Sequence, residues 1–575
     1  LTPRERATRI ATPRRQTAAL NSRIAERTRD DVGYWEPGLR ALPEYAIHAS
    51  MLPTGKVLIF GREPLVGGTR SNRGSASLFD PATGQSKHLP PPPIAENPDG
   101  SGGSLPAAIF CAGQALLSDG RVLVAGGNLA EPAPDQGRPQ YSGLDHTFIF
   151  DPWSETWQAG PRMSHGRWYP TLAKLASGDV IIASGLDEDG KGAVNPQLDL
   201  YRPGEAGVTR LAPVAAGERG PAIGTGIQLS LYPGLFLLPD ANVALAGPAQ
   251  HDSALLDTAK LQRPGAARGS AWMQIPSTTA SQQHYGGSPV LEPRMDAFGG
   301  SWSILVTAGA DSNGGVGFFP ARTTVDRLVA GPGEPFWSHD AQDDFQQARF
   351  YPNLVLLPDG GIIAIGGGLA GNYTGAAIDA NYYVGDPPPP ALRQVELRRP
   401  GERGWRLGAA QQEYRTYHST AALLPDGRVM SAGDDGHEGP LDAPVPPEVR
   451  RDSAEIYWPP YLFDGDQCAL RPVIRGVGST TPPAAGPAAV LTYGEQFGIF
   501  SEHARPGMQA ALVAPAAVTH GVDSNQRVVP LRVAATVPGG GLNALTPANA
   551  AIAPPGYYML VVVDAAGTPS QARWV

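Results

Sequence analysis

A two-strand unit recurs seven times along the chain, and this repeat limits the possible folds more than any other feature. The copies read HASMLPTGKVLIFG (48–61), CAGQALLSDGRVLVAGG (111–127), YPTLAKLASGDVIIASG (169–185) and LSLYPGLFLLPDANVALAG (229–247). They continue as GGSPVLEPRMDAFGGSWSILVTAG (286–309), YPNLVLLPDGGIIAIGGG (351–368) and YHSTAALLPDGRVMSAGDD (417–435). Each is an apolar run, a tight turn of the Asp-Gly type, a second apolar run and a cluster of small residues. That order is a strong short-range signal for a β-hairpin. Second runs such as VLVAGG and IIAIGG have no polar alternation, as expected of strands buried on both faces.

Between copies lie further strand pairs, among them ASLFDPATGQSKHLP (76–90), HTFIFDPWSETWQAG (146–160) and SAEIYWPPYLF (453–463). Two hairpins per unit, repeated every 50–65 residues or so, predict a seven-bladed kelch-type β-propeller with four-stranded blades over 45–464. A β-solenoid or stacked sandwiches is the competing all-β arrangement. After residue 464 the repeat stops. Runs such as AAVLTYGEQFGIF and GYYMLVVVDAAGTPSQARWV predict a C-terminal immunoglobulin-like β-sandwich over 465–575. Residues 1–44 differ from both parts, with eight arginines before Asp30. They read as a basic N-terminal arm, solvated or packed on the body.

Composition narrows the function classes. Gly (71) and Pro (59) are too frequent for a helical protein, while 41% hydrophobic residues are too many for a disordered one. A net charge of −9 argues against nucleic-acid binding through a basic face. No apolar run reaches the roughly 20 residues of a membrane helix. Two cysteines cannot build a disulfide framework. The chain starts at Leu1 without a secretory leader pattern, so any leader is expected to be absent from this sequence.

Position within the repeat points to chemistry. Cys111, Tyr169, Tyr351 and His418 each lie nine residues before a turn glycine: Gly120, Gly178, Gly360 and Gly427. All four share one slot, at the start of an inner strand, and such slots converge around a propeller's axis. Tyr417 adjoins His418, and in a regular strand the two would face opposite ways. Both can serve one site only where the strand start is irregular. Phenols, an imidazole and a thiol on one axis suit a redox metal, and imidazole with phenolate suits Cu(II) better than tetrahedral zinc.

These segments resemble the copper radical oxidases, the galactose oxidase and glyoxal oxidase family, and more closely the glyoxal oxidase branch. The resemblance covers residues 45–575. It rests on FCAGQALLSDGRVLVAGG with Cys111, RWYPTLAKLASGD with Tyr169, TYHSTAALLPDGRVMSAGDD with Tyr417 and His418, and VTHGVDSNQR with His520. It implies one copper ion held by Tyr169, Tyr417, His418 and His520. It also implies a Cys111–Tyr169 thioether whose phenol carries a radical, making a protein-derived cofactor. Tyr417 would take the substrate's hydroxyl proton, and O2 would leave as hydrogen peroxide.

The implied activity is two-electron oxidation of a primary alcohol or aldehyde hydrate by a secreted, monomeric enzyme. The alternative is a non-catalytic kelch propeller that binds carbohydrate or serves a structural role. The family's tryptophan over the thioether has no counterpart by register, since the count lands on Asp187. Trp168, Trp302 and Trp337 are the candidates for that shield. Tyr351 and Trp168 are further expected as substrate-pocket or packing residues. His48, His165, His284 and His339 read as rim residues, and Cys468 as a free thiol.

Overall fold

The computed structural model describes residues 24, 26–62, 73–94, 105–211, 222–223, 227–247, 253–261, 271–276, 284, 286–293, 302–310, 317–331, 334–368, 370–373, 393–434, 452–478, 489–501, 504–537 and 540–575. The basic stretch through residue 23 lies outside this set. So do the Pro-rich 95–104 and 374–392 and most of 277–301.

Seven sheets follow one plan. In the second blade Gly113–Leu116 pairs with Val122–Ala125, then Thr147–Asp151, then Thr156–Ala159, all antiparallel. Each sequence hairpin supplies the two inner strands of its own four, as the repeat predicts. The turn glycines sit at φ values only glycine adopts readily, for example 84° at Gly120 and 85° at Gly427. Neighbouring blades bury apolar faces against each other. Leu58 and Phe60 of the first meet Val122 and Val124 of the second, and Leu123 meets Ile182 of the third. Each such side chain contributes about 1.5–3 kcal/mol by leaving water. That is why the inner strands carry no polar alternation.

Two strand additions extend the seventh and first blades. The outer strand of the seventh blade, Ser453–Trp458, pairs with Tyr34–Trp35 and Arg40–Ala41 from the chain's early residues. The first blade gains Ala517–Thr519 on its axial side, with His48 opposite Thr519. This second addition comes from the C-terminal domain.

In that domain the ten-residue strand Val528–Val537 joins two layers. Val528–Leu531 pairs with Ala510–Val513, and Arg532–Val537 pairs with Gly541–Leu545. Ile499, Leu512, Leu542, Leu560 and Val562 fill the space between the layers. The result is the predicted immunoglobulin-like sandwich. Among the described residues no helix is long and apolar enough to cross a membrane.

The segment after Thr519 runs into the propeller's centre, where inner strands expose backbone groups with no fifth strand to meet them. It pairs those groups one by one. Asn525 accepts from Lys174 N–H and donates to the Leu172 carbonyl. Gln526 does the same for Leu356 and Leu354. Ser524 accepts from Leu235 N–H, and Arg527 donates to the Leu237 carbonyl. Asp523 stiffens the turn by accepting from Ala517, Asn525 and Gln526 N–H. Burial raises its carboxyl to about 6 despite those bonds. The third, fourth and sixth blades are thus bonded to one polar hairpin. His520 rides on it.

Candidate metal centre

The slot residues share a backbone conformation that the sequence count could not reveal. Cys111, Tyr169, Tyr351 and His418 have φ of 61°, 70°, 56° and 59°, and His520 has 51°. For side-chain-bearing residues this left-handed region costs about 1–2 kcal/mol each. Such strain gathers where a site over-determines the chain. The distortion breaks strand alternation, so consecutive side chains can face one way. Tyr417 and His418 stack at 3.8 Å between ring centroids and 24° between planes. Trp168 and Tyr169 stack at 3.6 Å and 8°.

A repeated arginine explains the seventh blade. Arg-x-Tyr occurs at 167–169, 349–351 and 415–417, and all three arginines are fully buried. Arg167 bonds the Ser184 carbonyl at 2.7 Å and Asp199 at 2.8 Å. Arg349 bonds the Gly366 carbonyl at 2.5 Å and Glu396 at 3.0 Å. Arg415 bonds the Gly433 carbonyl at 2.8 Å and Glu455 at 3.1 Å. Counted from the arginine, Tyr417 is the equivalent of Tyr169. Counted from the turn, His418 is. The seventh blade holds one extra residue between these two fixed points, which brings both side chains to the axis.

Five of the sequence-derived residues meet there, each at most 4% exposed: Cys111, Tyr169, Tyr417, His418 and His520. One ligand atom each from Cys111, His418 and His520 lie within 4.8 Å of one another. The Tyr169 hydroxyl is 3.4 Å from His418 Nε2 and bonds the Tyr417 hydroxyl. The His520 ring centroid lies 4.5 Å from Tyr169, 4.7 Å from His418 and 5.1 Å from Tyr417.

The tautomer of His520 follows from its neighbour. Thr519 Oγ1 donates its single proton to the Ile47 carbonyl at 2.9 Å. It must therefore accept at 2.7 Å from His520 Nδ1–H. Nε2 is then the unprotonated ligand atom, oriented through its other nitrogen as metal-binding histidines are. Asp434 brackets the other histidine. It accepts from Thr416 N–H and Oγ1–H, both at 2.7 Å, and its own N–H donates to the His418 carbonyl at 3.1 Å. Two imidazoles, two phenols and a thiol form a donor set that suits copper.

Some expectations are corrected. His48 and His284 are core residues rather than rim residues, at 0% and 1% exposure. His284 is held by Asp326 at 3.0 Å and by the Ala308 carbonyl. His48 stacks on Phe60 and accepts from Cys111 N–H at 2.9 Å. Burial, and after it the nearby His418, hold its pKa well below the usual imidazole value. Of the three candidate tryptophans, Trp168 is the one stacked on the Tyr169 ring, and its backbone pairs with Leu186, next to Asp187. Asp187 is a partly buried acid raised to about 6 by desolvation and by Asp189. Trp302 and Trp337 lie in the core between the fourth and fifth blades. Tyr351 packs on Tyr417 at 5.0 Å, and burial raises its phenol. Cys468 is free and exposed. His165 and His339 are half-exposed beside Glu188 and Asp326.

One residue was missed. Tyr232 lies 4.5 Å from Tyr169 and 4.6 Å from His520, at φ 46°. It stands nine residues before Ala241, which takes the turn-glycine place at φ 69°. The count would have found it had Asp240-Ala241 been read as the turn. Its hydroxyl donates to the Ala112 carbonyl at 2.8 Å, and burial pushes its phenol well above the usual value. Backbone bonds link these slots around the axis: Tyr169 N–H to the Cys111 carbonyl, then Tyr232 N–H to the Tyr169 carbonyl.

Residues 108–461 match the family model described as glyoxal oxidase N-terminus, and residues 471–575 the galactose oxidase-like early set domain. The chain is 29% identical to an aldehyde oxidase, GLOX, of Vitis pseudoreticulata over 81% of each chain. It is 25% identical to the galactose oxidase of Gibberella zeae over 95% of this chain and 70% of that one. Among solved structures, a fungal alcohol oxidase of the AA5 family in complex with copper is similar in fold. The TM-score is 0.72 at 21% identity, covering 95% of this chain and 99% of that one.

Proposed function

The chain belongs to the copper radical oxidases of the galactose and glyoxal oxidase type, and we propose that it oxidises a primary alcohol or aldehyde hydrate by two electrons while O2 becomes hydrogen peroxide. The observation that carries this reading is the meeting of Cys111, Tyr169, Tyr417, His418 and His520 on the propeller axis. A protein that only bound carbohydrate would have no use for that set.

Tyr169, Tyr417, His418 and His520 would hold the copper, with Cys111 joined to Tyr169 by a thioether. Bound copper supplies one one-electron acceptor and a Lewis-acidic position for the substrate oxygen. The second one-electron acceptor has to come from the chain, and Tyr169 is the ring placed to provide it. A sulfur substituent ortho to its oxygen lowers the cost of a phenoxyl radical. Trp168 covers one face of that ring and Tyr232 the other, at 30° between planes, which keeps water away from it. The Tyr417 oxygen, bonded to the Tyr169 hydroxyl, is the base positioned to take the hydroxyl proton of the alcohol. His520 and His418 keep their rings fixed through Thr519 and Asp434 while charge changes between the phenols.

Copper loading in air followed by digestion tests the reading. The Cys111 and Tyr169 peptides should run as one species that thiol reductants do not split. Two separate peptides would overturn it. Tyr169→Phe should keep much of the copper and lose all peroxide production. A peroxide-coupled screen of galactose, glycerol, benzyl alcohols, glyoxal and methylglyoxal then assigns the substrate. Release outside the cell is part of the proposal, on the ground that peroxide is toxic within it. Fractionation of the producing culture tests that part.

A further inference from the structure

The Tyr169 ring is the inner end of an aromatic column. Trp168 lies on it at 3.6 Å and 8°, and Tyr141 lies on Trp168 at 4.4 Å and 4°. Aromatic pairs in cores mix edge-on and offset geometries. Here two consecutive pairs are nearly parallel. The outer ring, Tyr141, is 8% exposed and follows the partly exposed Arg138 and Gln140 and the exposed Pro139. The loop is pinned by Gln140 N–H to the Gly190 carbonyl at 2.9 Å and by Gly143 N–H to the Asp187 carbonyl at 2.8 Å. The column therefore runs from the buried cluster to a ring with 8% of its surface exposed, whose chain neighbours lie at the surface.

Trp168 has a property suited to passing charge on. Its indole Nε1 is buried with no hydrogen-bond partner among the described residues. An indole that loses an electron there has no base among the described residues to take its proton, so the charge moves on rather than being trapped as a neutral radical.

Electron parity supplies the need, given the two-electron reading above, on which this inference rests. Alcohol and O2 each exchange electrons with the site in pairs. A centre that gains one stray electron is left in an odd state that neither partner can repair. Only a one-electron partner can return it to the cycle.

We propose that Trp168 and Tyr141 form an electron port, through which a soluble one-electron carrier exchanges single electrons with the Tyr169 ring. Conduction depends on ring overlap. With ferricyanide as the carrier, one electron leaves the metal-held Tyr169 phenolate by way of Trp168 and Tyr141. Ferricyanide becomes ferrocyanide and the ring becomes a phenoxyl. No bond forms or breaks, and no proton moves.

Stopped-flow mixing of copper-loaded, crosslinked protein with ferricyanide tests the port. The protein is first taken to the radical-free state with ferrocyanide, and the phenoxyl is followed by its visible absorption. Tyr141→Leu should slow radical formation by about tenfold or more, a barrier increase of about 1.4 kcal/mol. Tyr141→Phe keeps the ring and should stay within about twofold of the wild type. Peroxide production from fully activated enzyme should be unchanged in both. Equal rates in Tyr141→Leu and the wild type, or equal slowing in both variants, would overturn the port. Failure of the wild type to form any radical would overturn the reading of Tyr169 as well, and so separates the two.

Discussion

His48 Nε2 accepts the backbone N–H of Cys111 at 2.9 Å, inside a core where neither residue is more than 1% exposed. An acceptor at Nε2 requires a neutral imidazole, which burial enforces. The bond fixes the backbone from which the thiol projects toward the cluster. His48→Leu should leave that N–H unpaired at a cost of about 1–3 kcal/mol. It should also reduce the yield of linked Cys111–Tyr169 peptide. His48→Gln, which can still accept, should recover part of both. Urea melts and peptide mapping after copper loading check this.

Arg415 and Glu455 are a buried ion pair at 3.1 Å. Arg415→Met strands a carboxylate in the core and should destabilise the protein by about 3–5 kcal/mol. Arg415→Met with Glu455→Leu should regain most of that loss. Copper affinity should not recover with it, because the Gly433 carbonyl loses the guanidinium that anchors the Tyr417–His418 segment. Denaturant melts and copper titration of the same variants separate the two effects.

Gly521 follows His520 at φ 73°, and a methyl group there would lie 2.4 Å from Ser288 Oγ and 2.6 Å from the Pro352 carbonyl. Both the conformation and the contact oppose a side chain. Gly521→Ala should weaken copper binding by about tenfold or more, at least the 1–2 kcal/mol of the left-handed conformation alone. Circular dichroism should remain that of an intact propeller. Calorimetric copper titration reads the outcome.

Glu44 is buried between Ser75 and Ser77, and desolvation raises its carboxyl from 4.5 to about 7, partly offset by the two hydroxyl donors. Between those values the folded chain binds one proton more than the unfolded chain. The stability from this group is full below 4.5. It falls by about 1.4 kcal/mol per pH unit as pH rises toward 7, and is gone above it. Glu44→Gln should flatten this slope and melt higher than the wild type at pH 8. Melts from pH 4 to 8 provide the check.

The propeller could be read from the chain because each hairpin repeats its turn and its doubly apolar second strand. The slot count placed Cys111, Tyr169 and His418 because turn-to-slot distance is conserved by geometry. It passed over Tyr232 because alanine occupies the turn position there at φ 69°. Trp168 could not be singled out from Trp302 and Trp337, since stacking on the next residue requires the left-handed φ at Tyr169, which no local pattern signals. His48 and His284 looked like rim residues because their burial depends on groups distant in the chain: Cys111 N–H and the His520 ring for the first, and Asp326 for the second.

The hairpin that carries His520 lies beyond every other donor in chain order, so a ribosome releases the thiol, both phenols and the first imidazole well before the last one. A nascent propeller can close its ring while still unable to assemble oxidative chemistry. The donor set is complete only when the final domain docks its hairpin into the bore, so under the proposed chemistry completion of the whole polypeptide is the safeguard against premature radical damage.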